Sequence, residues 1–253
     1  MDCSGSSNDS LGYNWTAAYT ANSSDTEGTV SYSIAFSDNA GNAGTAVTSG
    51  SGSVTFDKTA PTVSSFTTTT DSGSYKADQD IVITANTDED IQSGNTITIT
   101  LSDSCGTVVL TAASAGTTLT GTYTVASGNN STDLTISTFT IGTVADTAGN
   151  AMTSTSLPSS IFDKKTIVID TTAPSAFTVD AVSSVSETVV NNYYNSTNED
   201  ITVVVPIDND TSLTGGTVQI LSKNGDTDST FETLGDATTI TTSDLDSNLT
   251  IFN

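Results

Sequence analysis

Two short landmarks occur twice in this chain, and their spacing is that of a whole β-domain. Asp38-Asn39-Ala40-Gly41-Asn42 returns as Asp146-Thr147-Ala148-Gly149-Asn150, and Asp57-Lys58-Thr59-Ala60-Pro61 returns as Asp170-Thr171-Thr172-Ala173-Pro174. The second copy follows the first by 108 residues for one landmark and by 113 for the other. One β-sandwich takes about 100 residues. A self-similar period of that length predicts an array of one kind of domain, with the chain starting and stopping inside a unit.

The residues between the landmarks carry the period of strands. Val30, Tyr32, Ile34 and Phe36 alternate with small polar residues, as do Ile97, Ile99 and Leu101, and Val203, Val205 and Ile207; this is the pattern of half-buried strands. Ser and Thr make up 88 of the 253 residues, and β-branched Thr suits a pleated surface better than a helix. Leu134 and Ile136 alternate in one phase and Phe139 and Ile141 in the other, which predicts a β-bulge near Thr138. Pro206, inside a strand-like run, predicts an edge position or a shortened strand.

Each Asp-x-Ala-Gly-Asn stretch has turn chemistry, since Gly accepts positive φ and Asp or Asn bonds local backbone. Each Asp-x-Thr-Ala-Pro stretch follows a last strand, and its proline ends the ladder and stiffens the exit. These seams divide the chain into residues 1–59, the later strands of a unit; 60–172, a complete unit; and 173–253, the earlier strands of a third. Aligning Ile81 with Ile201 sets Asp80, Asp88 and Asp90 opposite Asp200, Asp208 and Asp210. The two partial pieces are expected to leave strand edges open. Protease cutting in the flanks or self-association should follow, with strand exchange between copies as one route.

Charge narrows the functions. There are 29 acidic residues against five lysines, with no arginine or histidine, for a net charge of −24. Nucleic acid and anionic lipid surfaces both require the opposite sign. Without His or Arg, no Ser–His or Cys–His pair and no bidentate guanidinium clamp can be built. A paired-carboxylate reaction remains formally open. Two cysteines, Cys3 and Cys105, provide neither a disulfide framework nor a zinc site; Cys105 falls in a hairpin turn with Ser104 and Gly106. No signal-like segment and no bilayer-length apolar run is present in these residues, so a signal and anchor are expected outside this segment.

The turn, the seam and the aromatic stretch before the turn (Trp15, Tyr19, Tyr32 and Phe36) together resemble bacterial Ig-like domains arranged in tandem in large surface and adhesin-type proteins. The resemblance covers essentially the whole chain as one complete and two partial units. Antibody-type domains are not indicated, because the Cys…Trp…Cys pattern is absent. The resemblance implies an all-β fold of tandem Ig-like β-sandwich repeats, in an extracellular or cell-surface location. It also implies a non-catalytic spacer contacting neighbouring repeats of its own polypeptide and often rigidified by calcium. Two other functions stay open. One is a carbohydrate- or protein-binding module using Tyr193-Tyr194 in the Asn191 to Asn198 loop; the other is an accessory region of a secreted enzyme.

In such a sandwich the loop after the second strand and the turn before the last strand both return to the end where the chain enters. Asp57 from the seam, Asp88 and Asp90 from that loop, and Asp146 from the turn are therefore expected at one junction. Asp170, Asp208 and Asp210 are expected at the next, with Asp80 approaching from the far end of the complete unit. Clustered carboxylates repel one another unless a cation joins them, and calcium takes six to eight oxygens. The competing reading is that Asp and Asn serve only as turn residues.

Overall fold

The repeated hydroxyl–aliphatic alternation builds a sheet that curls onto itself. The structure is a computed structural model, and it describes residues 6–8, 15–162, 165–176, 178–179, 181–185, 200–223, 230–245 and 247–252. The chain divides into two units, residues 1–171 and 172–253. The Asn191–Asn198 loop with Tyr193-Tyr194 lies outside the described residues, as does the side chain of Trp15.

The first unit contains β1 (Ser6–Asn8), β2 (Trp15–Ala17), β3 (Gly28–Thr29), β4 (Thr55–Phe56), β5 (Val63–Thr68), β6 (Gly73–Tyr75), β7 (Asp80–Ile91), β8 (Thr96–Leu101), β9 (Thr107–Thr111), β10 (Gly116–Thr124), β11 (Ile136–Thr143) and β12 (Ile167–Ile169). Six of them form one antiparallel sheet in the order β11-β8-β9-β10-β7-β5. Along β7, Ile81, Ile83 and Ala85 have no exposed surface, while Val82, Thr84 and Asn86 are half-buried. Period-two burial of this kind is what fixes register, since a one-residue slip would turn every Ile to the other face.

The two edge strands of this sheet meet across its interior. Phe66 on β5 and Phe139 on β11 pack edge to face, with ring centroids 5.8 Å apart. The strip 160–169 helps close the gap. Phe66 N–H donates to Ser160 O at 3.0 Å, β12 pairs in parallel with β6, and Leu134 N–H donates to Ile167 O at 2.7 Å. Each large aliphatic side chain enclosed here contributes about 1.5–3 kcal/mol. The expected bulge is present: the β8–β11 register shifts between Ile136 and Thr138, and again between Ile141 and Thr143. Leu134, Ile136 and Phe139 are all buried as a result, with Ile141 packed at the margin.

Residues 18–57 behave differently. The alternating Val30, Tyr32, Ile34 and Phe36 are expected to be half-buried, yet they are 41–56 % exposed. Tyr19, from the aromatic stretch before the turn, is 40 % exposed and donates its hydroxyl to Asp25 at 2.5 Å. No described strand lies over this face. The alternation is real, but alternation alone supplies no second layer.

The second unit contains β13 (Ala181–Val185), β14 (Asp200–Ile207), β15 (Thr217–Ser222), β16 (Glu232–Thr239) and β17 (Ser247–Phe252). Its sheets are β13-β14-β17 and β15-β16, around a small core of Val205, Ile207, Val218 and Ile240. β14 is central, but its pairing with β13 ends at Val204. Pro206, at register with Asn248 of β17, thus has a ladder on that side alone among the described residues. The described residues contain no α-helix, and none of their helices is long and apolar enough to cross a membrane.

Candidate metal centre

The repeated Asp-x-Ala-Gly-Asn stretch folds the same way twice. In the first copy the Asn42 amide and side chain donate to the two Asp38 carboxylate oxygens, each at 2.8 Å, and Asp38 N–H donates to Asn42 O at 3.0 Å. In the second, Asn150 does the same to Asp146, again at 2.8 Å for both bonds, and Asp146 N–H reaches Asn150 O at 3.1 Å. Gly41 and Gly149 supply the positive φ, +88° and +100°, that a Cβ would resist. The surroundings differ. Asp38 is exposed, whereas Asp146 is 1 % exposed.

Asp146 is buried because its turn is joined to the end of β7. Ile91 and Asp146 form a β-bridge, Thr147 N–H donates to Asp90 O at 3.2 Å, and the Gln92 side chain donates to Asp146 O at 2.8 Å. The seam arrives at the same place, where Asn150 Nδ2 also donates to the carbonyl of Asp57 at 3.3 Å.

β7 runs through Asp88-Glu89-Asp90 as strand, where a loop is expected. Strand alternation therefore decides which acid faces the turn. Ile81, Ile83, Ala85, Thr87, Glu89 and Ile91 share one phase, and Asp88 and Asp90 are exposed on the other. Asp57, Glu89 and Asp146 each place a carboxylate oxygen within 4.8 Å of the other two, so these three acidic residues can hold a metal ion. Glu89 Oε2 is buried and has no hydrogen-bond partner. Its position was open to inspection in the sequence, since it sits an even number of residues from Ile81 and Ile83.

The electrostatics divide the group. Burial raises the Glu89 pKa, and the neighbouring charges of Asp57, Asp146, Asp88 and Glu27 raise it further. Burial pushes the Asp146 carboxyl up as well, but bonds from the Asn150 side chain and amide and from the Gly149 and Ala148 amides outweigh it, leaving the pKa below the ordinary value. Lys58 directs its ammonium to the carbonyls of Ser23 and Asp25, at 3.2 and 2.9 Å, and not to the cluster.

The remaining expected residues are placed as follows. Asp88 bonds Thr62 through both carboxylate oxygens. Asp90 lends its carbonyl to Thr147. Asp170 follows β12 directly, its N–H donating to Tyr75 O at 3.0 Å, and Asp80 accepts from Thr124 Oγ1 at 2.6 Å. In the second unit, Asp210 caps the 3₁₀ turn Thr211–Leu213 by accepting from Ser212 N–H at 2.9 Å, and donates its own N–H to Asp208 O. The position matching Glu89 there is Asn209, an exposed amide. Comparison with protein-family models, curated proteins and solved structures finds no match.

Proposed function

We propose that this chain is a non-catalytic structural segment of an extracellular or cell-surface repeat protein built from tandem Ig-like sandwiches, stiffened by calcium where a seam enters a unit. One observation carries the proposal: a buried, unpartnered Glu89 oxygen faces carboxylates from a seam and from a turn that are far apart in sequence. Two oxygens on one calcium ion at 2.3–2.6 Å can lie up to about 5 Å apart, so the spacing suits it. The ion would remove the repulsion among the three acids and tie Asp57 to the body of the unit. Absence of His and Arg and the identical fold of the Asp38 and Asp146 turns favour a repeated scaffold over a unique active site.

The test is a thermal melt of the chain across a calcium titration, followed by chelator. Extracellular modules bind calcium at about 10⁻⁴–10⁻³ M. A free concentration of about a hundred times Kd would add about 2.7 kcal/mol. A melting temperature that rises through this range and falls back with chelator is expected. A melt unmoved by millimolar calcium overturns the proposal.

A further inference from the structure

We propose that Asn150 is the positioning residue of the cation site, its side-chain amide holding the turn of Asp146 and the seam at Asp57 together so that both carboxylates meet Glu89. This role presupposes the calcium reading above and adds what assembles the site. Asp57 and Asn150 lie 93 residues apart, and β7 brings Glu89 from a third segment. Like charges at such spacing repel, so groups other than the carboxylates must hold the three within 4.8 Å of one another before an ion arrives.

A primary amide offers two N–H donors, and Asn150 uses its side-chain nitrogen twice. Nδ2 donates to Asp146 Oδ2 at 2.8 Å and to the Asp57 carbonyl at 3.3 Å. The backbone amides of Asn150 and Gly149 donate to Asp146 Oδ1 at 2.8 and 2.6 Å. Oδ1 thus has both lone pairs engaged by N–H groups, whereas Oδ2, which accepts the side-chain bond, keeps capacity for a cation. On the seam, Asp57 Oδ1 accepts from the Thr59 amide at 3.1 Å, which turns that carboxylate back over its own chain. Glu27 grips the same stretch from behind, accepting from the Lys58 amide at 3.0 Å and the Thr59 hydroxyl at 2.6 Å. The Asn150 bond ties the stretch forward, to the turn that carries Asp146.

The exposed copy of the turn separates the two duties. Asn42 makes the same pair of bonds to Asp38, which is what the turn needs for its own closure. The bond across to a seam carbonyl is the addition at Asn150, and it is made where Asp146 is buried and Glu89 Oε2 lacks a hydrogen-bond partner. Groups that orient metal ligands without touching the metal change its affinity by about 10–100-fold when removed.

The experiment is NMR of the full chain, read first without calcium and then across a calcium titration followed at the Glu89 amide. In the calcium-free chain both side-chain amide protons of Asn150 should exchange slowly with water. Exchange as fast as that of a fully solvated asparagine overturns the proposal, whatever calcium does. In the titration Asn150→Ala should raise Kd by about 10–100-fold, while Asn42→Ala, which breaks the same closure at the exposed turn, should leave Kd unchanged. Equal Kd values for the native chain and Asn150→Ala overturn the positioning role and leave the calcium reading standing. Equal weakening by Asn42→Ala overturns it too, because loss of closure at either turn would then suffice. No response at Glu89 in the native chain removes the calcium reading and this role with it. If Asn150→Ala does not fold, the exchange reading on the native chain still decides.

Discussion

Thr62 and Asp88 hold each other by three hydrogen bonds. The Thr62 amide and hydroxyl donate to the two carboxylate oxygens of Asp88 at 2.6 and 2.7 Å, and the Asp88 amide donates to the Thr62 carbonyl at 3.2 Å. The first residue after Pro61 is thereby pinned to the outer face of β7, one residue from the inward-facing Glu89. Asp88 fixes the seam, and Glu89 is left to meet it.

Asp88→Ala should lower stability by about 1 kcal/mol, since charge-assisted bonds at an exposed site are screened by water. Burial raises the Asp88 pKa, but the Thr62 amide and hydroxyl outweigh it and hold the pKa below the ordinary value. A depressed folded pKa contributes stability that is complete above the unfolded value, about 3.9, and is lost as pH falls through the folded one. Denaturant midpoints for the native and variant chains should differ at neutral pH and converge in acid.

Asp146→Ala and Asp38→Ala break the same turn in different surroundings. At Asp146 the change strands the amides of Gly149 and Asn150 beside a buried position, and a loss of about 3 kcal/mol is expected. At exposed Asp38 water replaces the lost bonds, so the loss is smaller. Equal losses in chemical unfolding would contradict this.

Glu89→Gln has the opposite sign to both. A carboxyl whose folded pKa is raised costs stability as pH climbs from the unfolded value, about 4.3, through the folded one. Without calcium the variant should therefore melt above the native chain at neutral pH. With millimolar calcium the native chain should rise and the variant should not.

Gly121→Ala tests the packing of β9 against β10. A Cβ at Gly121 would come within 2.5 Å of the Val109 carbonyl and 2.8 Å of a Leu110 methyl, and the backbone contact cannot swing aside. A loss of about 1–3 kcal/mol is expected. By contrast, the atoms nearest a Cβ at Gly44 belong to the ring of exposed Phe36, a side chain that can swing aside, so Gly44→Ala should cost less by the same measurement.

Much of the β architecture was legible in the sequence because period-two alternation is a local signal. Ile97, Ile99 and Leu101 are buried as their phase requires, and the change of phase at Thr138 marks a real register shift. The doubled turn was legible for the same reason, its bonds lying within five residues. The site was legible only in part. Asp57 and Asp146 were visible as motif residues, but Asp88 and Asp90 drew attention by their charge and proved to face outward. Choosing Glu89 instead required knowing that β7 continues as strand to Ile91, and that continuation depends on pairing with Gly116, which lies 25 residues along the chain. Exposure of Val30, Tyr32, Ile34 and Phe36 was not legible from their own alternation, because burial depends on a second layer.

The parallel pairing near the two ends of the first unit's sheet bears on how it would respond to force. β6 follows the entry of the chain and β12 precedes its exit at Asp170. Gly73, Ser74 and Tyr75 stand in register with Ile167, Val168 and Ile169, and Phe66 makes a further parallel bridge to Ile161. Tension applied between Thr62 and Asp170 would draw these paired segments in opposite directions along their own axes. All the rungs would then bear load at once instead of opening one after another. The small parallel sheet is placed where a pull along the chain must shear it.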